Sequence, residues 1–248
     1  MAAEPAAAAD PDAADQGQNV ALVLVSHSQA LADGAVELAG QMAPHVLLVA
    51  AGGLADGSLG TSFDLIGAAL ERAGANGRPV VVLTDLGSAV LTTESALEFA
   101  ADDLVARVRM AAAPFVEGAV AAAVAADGGA DLATVLAAAE RAGSIFTNPS
   151  PPAPAGAGAP AAATGMRATA VLRNPLGLHA RPAAQLARTA ASFDAAVTVN
   201  GVDAASVLAL IALGASGGQQ VAVTASGPQA RAALAAVVAE IEEGFGEA

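Results

Sequence analysis

Residues 20–28 read Val20-Ala-Leu-Val-Leu-Val-Ser-His-Ser28, an unbroken apolar run followed by a histidine between two serines. A strand with one wet face alternates apolar and polar side chains, so this run belongs to a strand covered on both faces, as in a parallel sheet between helices. Similar runs return at residues 46–50 and 80–83, with a shorter one at 107–110, and the segments between them carry helical periodicity. Alanine-rich helices are predicted over residues 114–126 and 131–142, the second capped by Asp131. The expected fold is α/β, an open, mainly parallel sheet with helices on both faces. In such folds the working groups sit beyond the carboxyl ends of the strands, where loops meet helix amino termini.

A break in composition divides the chain. Residues 147–165, TNPSPPAPAGAGAPAAATG, hold five prolines and no charge, a composition suited to a semi-rigid spacer rather than a packed core. Four parts follow: a disordered tail over 1–19, the α/β domain over 20–146, the linker over 147–165 and a second domain over 166–248. The second domain is predicted as a small α+β sandwich. Its strands fall at 168–173, 196–200 and 220–225, its helices at 180–191, from Ser206, and at 228–243, with a turn at Asn200 and Gly201. Leu234, Val237, Val238 and Ile241 give the last helix an apolar stripe for packing on the sheet.

Composition narrows the chemistry. Cysteine is absent, which excludes disulfides, thiolate nucleophiles and iron–sulfur clusters, and all ten basic residues are arginine, which excludes the P-loop lysine and Schiff-base chemistry. A formal net charge of −14 with 2% aromatic residues argues against a nucleic-acid partner. No run reaches the roughly 18 apolar residues of a membrane span, and the first residues carry Glu4, Asp10, Asp12 and Asp15 without a basic residue, unlike a secretory signal. A cytoplasmic protein that needs no membrane and no cofactor is the expectation. The acidity is uneven: residues 20–146 hold 5 arginines against 14 acidic residues, and residues 166–248 hold 5 against 6.

Two of the three histidines stand where an anion is welcome. His27 follows the first strand in the loop Ser26-His27-Ser28, and Asp85 follows the third strand in Thr84-Asp85-Leu86-Gly87-Ser88, so adjacent strand ends can bring the carboxylate to the imidazole. Such a carboxylate selects a tautomer and makes the other ring nitrogen the nucleophile. The loop from Gly52-Gly53-Leu54 to Gly60-Thr61-Ser62 offers further N–H and hydroxyl groups for a phosphoryl oxygen. Expected phosphate contacts are thus Ser26, Ser28, Gly60, Thr61, Gly87 and Ser88. His179 lies in Asn174-Pro-Leu-Gly-Leu-His-Ala-Arg-Pro182, at or beside a helix amino terminus set by Pro182. Free N–H groups there, including that of Ala180, favour a phosphoryl group, and Arg181 adds a charge-assisted contact. Neither histidine has neighbours at metal-ligand spacing, no Gly-x-Ser-x-Gly elbow occurs, and no metal is expected. His45 reads as structural, and Arg107 and Arg109 as serving the fold or a partner surface.

The segment NPLGLHARPAAQLA at residues 174–187 resembles the active-site signature of HPr, the histidine phosphocarrier of the bacterial phosphotransferase system. The resemblance implies that His179 accepts a phosphoryl group from enzyme I with help from Arg181, and that Ser206 falls where many HPr proteins carry a regulatory phosphorylation serine. The turn before Ser206 is shorter than usual and lacks the usual lysine, which makes helix capping its expected role. Residues 20–146 resemble the mannose-type IIA domain of DhaM, the phosphotransferase subunit of phosphoenolpyruvate-dependent dihydroxyacetone kinase, through residues 22–28, Gly60-Thr61, Thr84-Asp-Leu-Gly-Ser-Ala89 and Ala113-Pro-Phe-Val-Glu-Gly118. This implies a second phosphohistidine at His27 with Asp85 as its partner, a homodimer, and a path to ADP on DhaL that serves DhaK. Two alternatives stand beside it. One is a IIA–HPr component of a mannose-family sugar transporter, the other a regulator that docks according to its phosphorylation state.

Overall fold

The computed structural model describes residues 19–143 and 165–247. The tail expected over 1–19 and the linker expected over 147–165 lie, but for Asn19 and Gly165, outside the described residues.

The first domain runs β1 (Ala21–Ser26), α1 (Gln29–Met42), β2 (Leu48–Gly52), α2 (Phe63–Ala73), β3 (Val80–Thr84), α3 (Gly87–Glu98), α4 (Asp102–Val105), β4 (Val108–Met110), α5 (Phe115–Asp127) and α6 (Leu132–Arg141). Its sheet is all parallel, in the order β2-β1-β3-β4. Every residue of β1 is buried, and successive side chains go to opposite layers. Ala21, Val23 and Val25 pack with Ile66, Leu70 and Ala89 from α2 and α3, whereas Leu22 and Leu24 pack with Ala35 and Ala39 of α1 and with the alanines of α5. A strand whose two faces are both apolar can only be central, so the composition of β1 dictates its place. Because β2 lies to one side of it and β3 to the other, the chain reverses direction of winding there, which opens a crevice at the carboxyl ends of β1 and β3.

The second strand starts two residues later than its apolar run suggests, since its ladder with β1 begins at Leu22 opposite Leu48 and continues to Ser26 opposite Gly52. That shift brings Gly52 against the start of α1. A Cβ there would lie 2.6 Å from the Ser28 carbonyl oxygen and 2.8 Å from the Ala32 Cβ, so only glycine permits this approach.

The second domain runs β5 (Met166–Val171), α7 (Ala180–Ala191), β6 (Ala196–Val199), β7 (Val202–Asp203), α8 (Val207–Ala212), β8 (Gln220–Ser226) and α9 (Ala230–Glu243). The antiparallel sheet, ordered β5-β8-β6-β7, is covered on one face by the three helices. The first strand of this domain begins and ends two residues before its expected bounds because its partner β8 starts at Gln220, opposite Val171. Sequence reading also missed β7. Asn200 and Gly201, with φ of 48° and 87°, form the tight turn that folds β7 back on β6.

The two domains touch. Met42 of α1 and Val120 and Val124 of α5 are buried in the same apolar cluster as Leu186, Ala187 and Ala190 of α7. Among the described residues no helix is long and apolar enough to cross a membrane.

Two glycines give a test of this packing. Gly52→Ala should cost about 1–3 kcal/mol by forcing β2 from α1. Gly34→Ala, in α1 with nothing within 4 Å of the added carbon, should stabilise by about 0.5–1 kcal/mol; urea unfolding of both variants reads the contrast.

Candidate functional site

Strands β1 and β3 run side by side to Val25 opposite Thr84, so the next residues of each, Ser26-His27 and Asp85, emerge together at the crevice. The imidazole Nδ1 of His27 lies 2.9 Å from Asp85 Oδ1. The other oxygen, Oδ2, accepts from the His27 backbone N–H and from the Ser26 hydroxyl, both at 2.9 Å, and Oδ1 also accepts from Leu86 N–H at 2.7 Å. Burial, the largest influence on this carboxyl, pushes it upward, yet the bonds from the His27 N–H, the imidazole, Ser26 and Leu86 outweigh it and hold Asp85 below its ordinary value. An ionised Asp85 assigns the proton to His27 Nδ1, which leaves Nε2 with a free lone pair.

That lone pair faces the start of α3. Ser88 Oγ lies 2.6 Å from Nε2, and Leu86 occupies the N-cap position without a side-chain cap bond. The first-turn N–H groups of Gly87 and Ser88 are ones that helix geometry leaves without an intrahelical partner, and they lie on the Nε2 side of the ring. Gly87 and Ser88, two of the expected phosphate contacts, are the first two residues of α3.

The other four are used otherwise. Ser26 is fully buried; it donates to Asp85 and accepts from Ser28 N–H at 3.0 Å, which places it beneath the ring rather than at a phosphoryl oxygen. Ser28 caps α1, accepting from Leu31 N–H at 3.3 Å. Gly60 spends its N–H on the His27 carbonyl at 2.9 Å, and Thr61 pairs its hydroxyl with that of Thr92 on α3 at 2.9 Å. In this arrangement these residues brace the loop that carries His27.

The second site inverts the arrangement. His179 is the N-cap residue of α7, with extended backbone, and its Nε2 lies 2.9 Å from Glu247 Oε2. The hydrogen bond from His179 is the main cause that holds the Glu247 carboxyl below its ordinary value, with a smaller Coulombic contribution from the exposed Arg181. Here Nε2 carries the proton and Nδ1 the lone pair. Ala180 and Arg181 supply the first-turn N–H groups, and Pro182 has none to offer. Buried Asn174 braces the approach, donating to the Gly177 carbonyl at 2.6 Å. Sequence reading overlooked Glu247, which lies 68 residues from its histidine. The only local signal is the ending Gly-Phe-Gly-Glu, where Gly244, Phe245 and Gly246 all have positive φ and turn the chain back toward α7.

Ser206 caps α8, accepting from Ala209 N–H at 3.3 Å. His45 is mostly exposed and bonds to Asp127. Arg107 binds Asp103 one turn away and Arg109 binds the backbone carbonyls of Ala106 and Val108, so both serve the local fold.

Residues 21–136 match the family described as the PTS system fructose IIA component, and residues 166–243 match that of the PTS HPr component phosphorylation site. The fold and the two histidine sites therefore define a carrier of the phosphotransferase system in which a mannose-type IIA domain precedes an HPr domain. Among curated proteins, the phosphoryl donor subunit DhaM of PEP-dependent dihydroxyacetone kinase from Escherichia coli K12 is 36% identical over 241 residues, 92% of this chain and 51% of that protein. A DhaM of Listeria innocua is 36% identical over 106 residues, 84% of its length, and phosphocarrier protein NPr of Escherichia coli K12 is 41% identical over 87 residues, 97% of its length. The chain belongs to the DhaM family, and it spans about half the length of the Escherichia coli DhaM.

The lowered Asp85 value predicts a pH dependence. A carboxyl held below its ordinary value stabilises the fold above that value, near pH 4, and the stabilisation is lost as pH falls through the folded-state value. The urea-unfolding difference between the wild type and Asp85→Asn should stay level from about pH 7 to about pH 5 and narrow below about pH 4.

Proposed function

We propose that the chain relays phosphoryl groups through two phosphohistidines, from phosphoenolpyruvate and enzyme I to His179, then to His27, then to ADP held by DhaL, for phosphorylation of dihydroxyacetone bound to DhaK. In this reading the protein is the phosphohistidine subunit of a cytoplasmic phosphoenolpyruvate–glycerone phosphotransferase and works as a homodimer through its IIA domain. The observation that carries it is a repeated design with opposite polarity. Each imidazole is held by a carboxylate at one nitrogen and belongs to a residue at a helix amino terminus: His27 Nε2 lies beside Ser88 in the first turn of α3, and His179 is the N-cap residue of α7.

This design makes the handover economical in protons. Phosphorylated His179 carries phosphorus on Nδ1 and keeps its Nε2–H on Glu247. Neutral His27 keeps its Nδ1–H on Asp85 and attacks through Nε2. As the new Nε2–P bond forms, the Nδ1–P bond breaks and its electron pair returns to the His179 ring. The positive charge of one phosphorylated ring passes to the other, no proton moves, and each charged ring rests against a carboxylate. Helix N–H groups stabilise the phosphoryl dianion at each station without a fixed cation that would hold it too tightly. Arg181 supplies a mobile positive charge at the receiving end.

Label from phosphoenolpyruvate and enzyme I, located by linker cleavage, should appear on both halves of the wild type, on the carboxy-terminal half alone in His27→Ala, and on neither half in His179→Ala. Normal labelling of His27 in His179→Ala would refute the relay. Nitrogen NMR of the phosphorylated protein should find phosphorus on Nε2 of His27 and on Nδ1 of His179. Ser88→Ala and Asp85→Asn should slow phosphorylation of His27 about tenfold or more.

A further inference from the structure

The contact between the two domains is built around one arginine. Arg188, in the last turn of α7, donates from Nη1 to the Met42 carbonyl at the end of α1, at 2.6 Å, and lies 3.2 Å from Asp127 Oδ2 at the end of α5. The Asp127 side chain is 3% exposed, and its other oxygen accepts from the His45 backbone N–H at 3.0 Å and lies 3.2 Å from the His45 ring. A buried carboxylate and a helix-end carbonyl are both strong acceptors, and the guanidinium answers them together. Around this polar clip, Met42, Val120 and Val124 are buried in the apolar cluster of the second domain. The domains are therefore joined by an ion pair between a partly exposed guanidinium and a buried carboxylate, set beside apolar contacts.

The docked position has a consequence for His179. It opens onto a depression shared with Leu38, Gln41 and Met42, at the last turns of α1. His27 lies two residues before the first turn of that same helix. At 1.5 Å per residue the two stations are roughly 15–20 Å apart along α1. Phosphoryl transfer needs the reacting atoms about 3–3.5 Å apart. We infer that the docked arrangement is a resting state that blocks handover from His179 to His27 of the same chain, and that the Arg188–Asp127–Met42 clip is the latch that must open. The inference rests on the relay proposed above. It makes the transfer rate proportional to the fraction of molecules in which the second domain has left α1. The chain between Gly143 and Gly165, at up to about 3.3 Å per residue, is long enough for the second domain to travel the length of α1.

The test uses the full chain. Protein loaded with label from phosphoenolpyruvate and enzyme I is freed of donor, and movement of label from the carboxy-terminal to the amino-terminal half is timed by linker cleavage. Small-angle X-ray scattering of the same samples reports whether the domains are joined. Arg188→Ala and Asp127→Asn place the lesion on different domains, so a folding defect in one leaves the other to report. The expected result is a compact wild type, a larger radius of gyration in the variants, and movement of label about fivefold faster or more. Separated domains in the wild type, or opened variants that transfer no faster, would overturn the latch while leaving the relay intact. Label that stays on His179 in the wild type and in both opened variants would overturn the relay and the latch with it.

Discussion

Asp85 accepts four hydrogen bonds at the point where β1 and β3 end together, and the geometry of the amino-terminal site follows from that convergence. A carboxylate with so many donors has little freedom left, so the imidazole it holds has one tautomer and one orientation. The donors come from three separate sources: the loop after β1, the buried Ser26 beneath it, and the chain entering α3. Each is in place only because β1 is central and β3 is its neighbour. The apolar continuity of residues 20–25 thereby reaches the chemistry, since it puts β1 between β2 and β3 and so puts His27 beside Asp85.

The carboxy-terminal domain solves the same problem with unrelated parts. Its sheet is antiparallel, its histidine caps a helix rather than following a strand, and its carboxylate arrives from a turn of three left-handed residues after α9. What the two sites share is an imidazole between a carboxylate and a helix amino terminus, with the ring nitrogens exchanged. Charge explains why backbone dipoles suit this chain. In a protein of net charge −14 with arginine as its only fixed cation, helix N–H groups let an anion be held locally without adding a counter-charge that would retain it.

Much of this was legible in the chain itself, for identifiable reasons. Apolar runs without alternation fit doubly covered strands, a proline-rich stretch without charge suits a spacer, and a histidine after a buried strand stands where open α/β sheets place their working groups. The two histidines and Asp85 could therefore be read from local composition and element order. Strand bounds could not be read this way, because the ends of β2 and β5 are set by the ladders with their partners and not by their own apolar residues.

Other features depended on the tertiary structure alone. Sequence cannot distinguish a hydroxyl that grips a ligand from one that braces the loop beneath it. Ser26, Ser28 and Thr61 have the chemistry for either role, and only the fold shows the bracing bonds that they make. Glu247 could not be found because its pairing with His179 spans 68 residues and depends on a backbone reversal that no periodicity announces. Arg188 has its contacts only because α1 and α5 bring the Met42 carbonyl and Asp127 to it. Sequence by itself determined which groups can do chemistry and which segments form layers, because both are local properties of side chains and their spacing. Only the tertiary structure decided which group faces which, because hydrogen-bond direction and the meeting of distant segments are settled by packing.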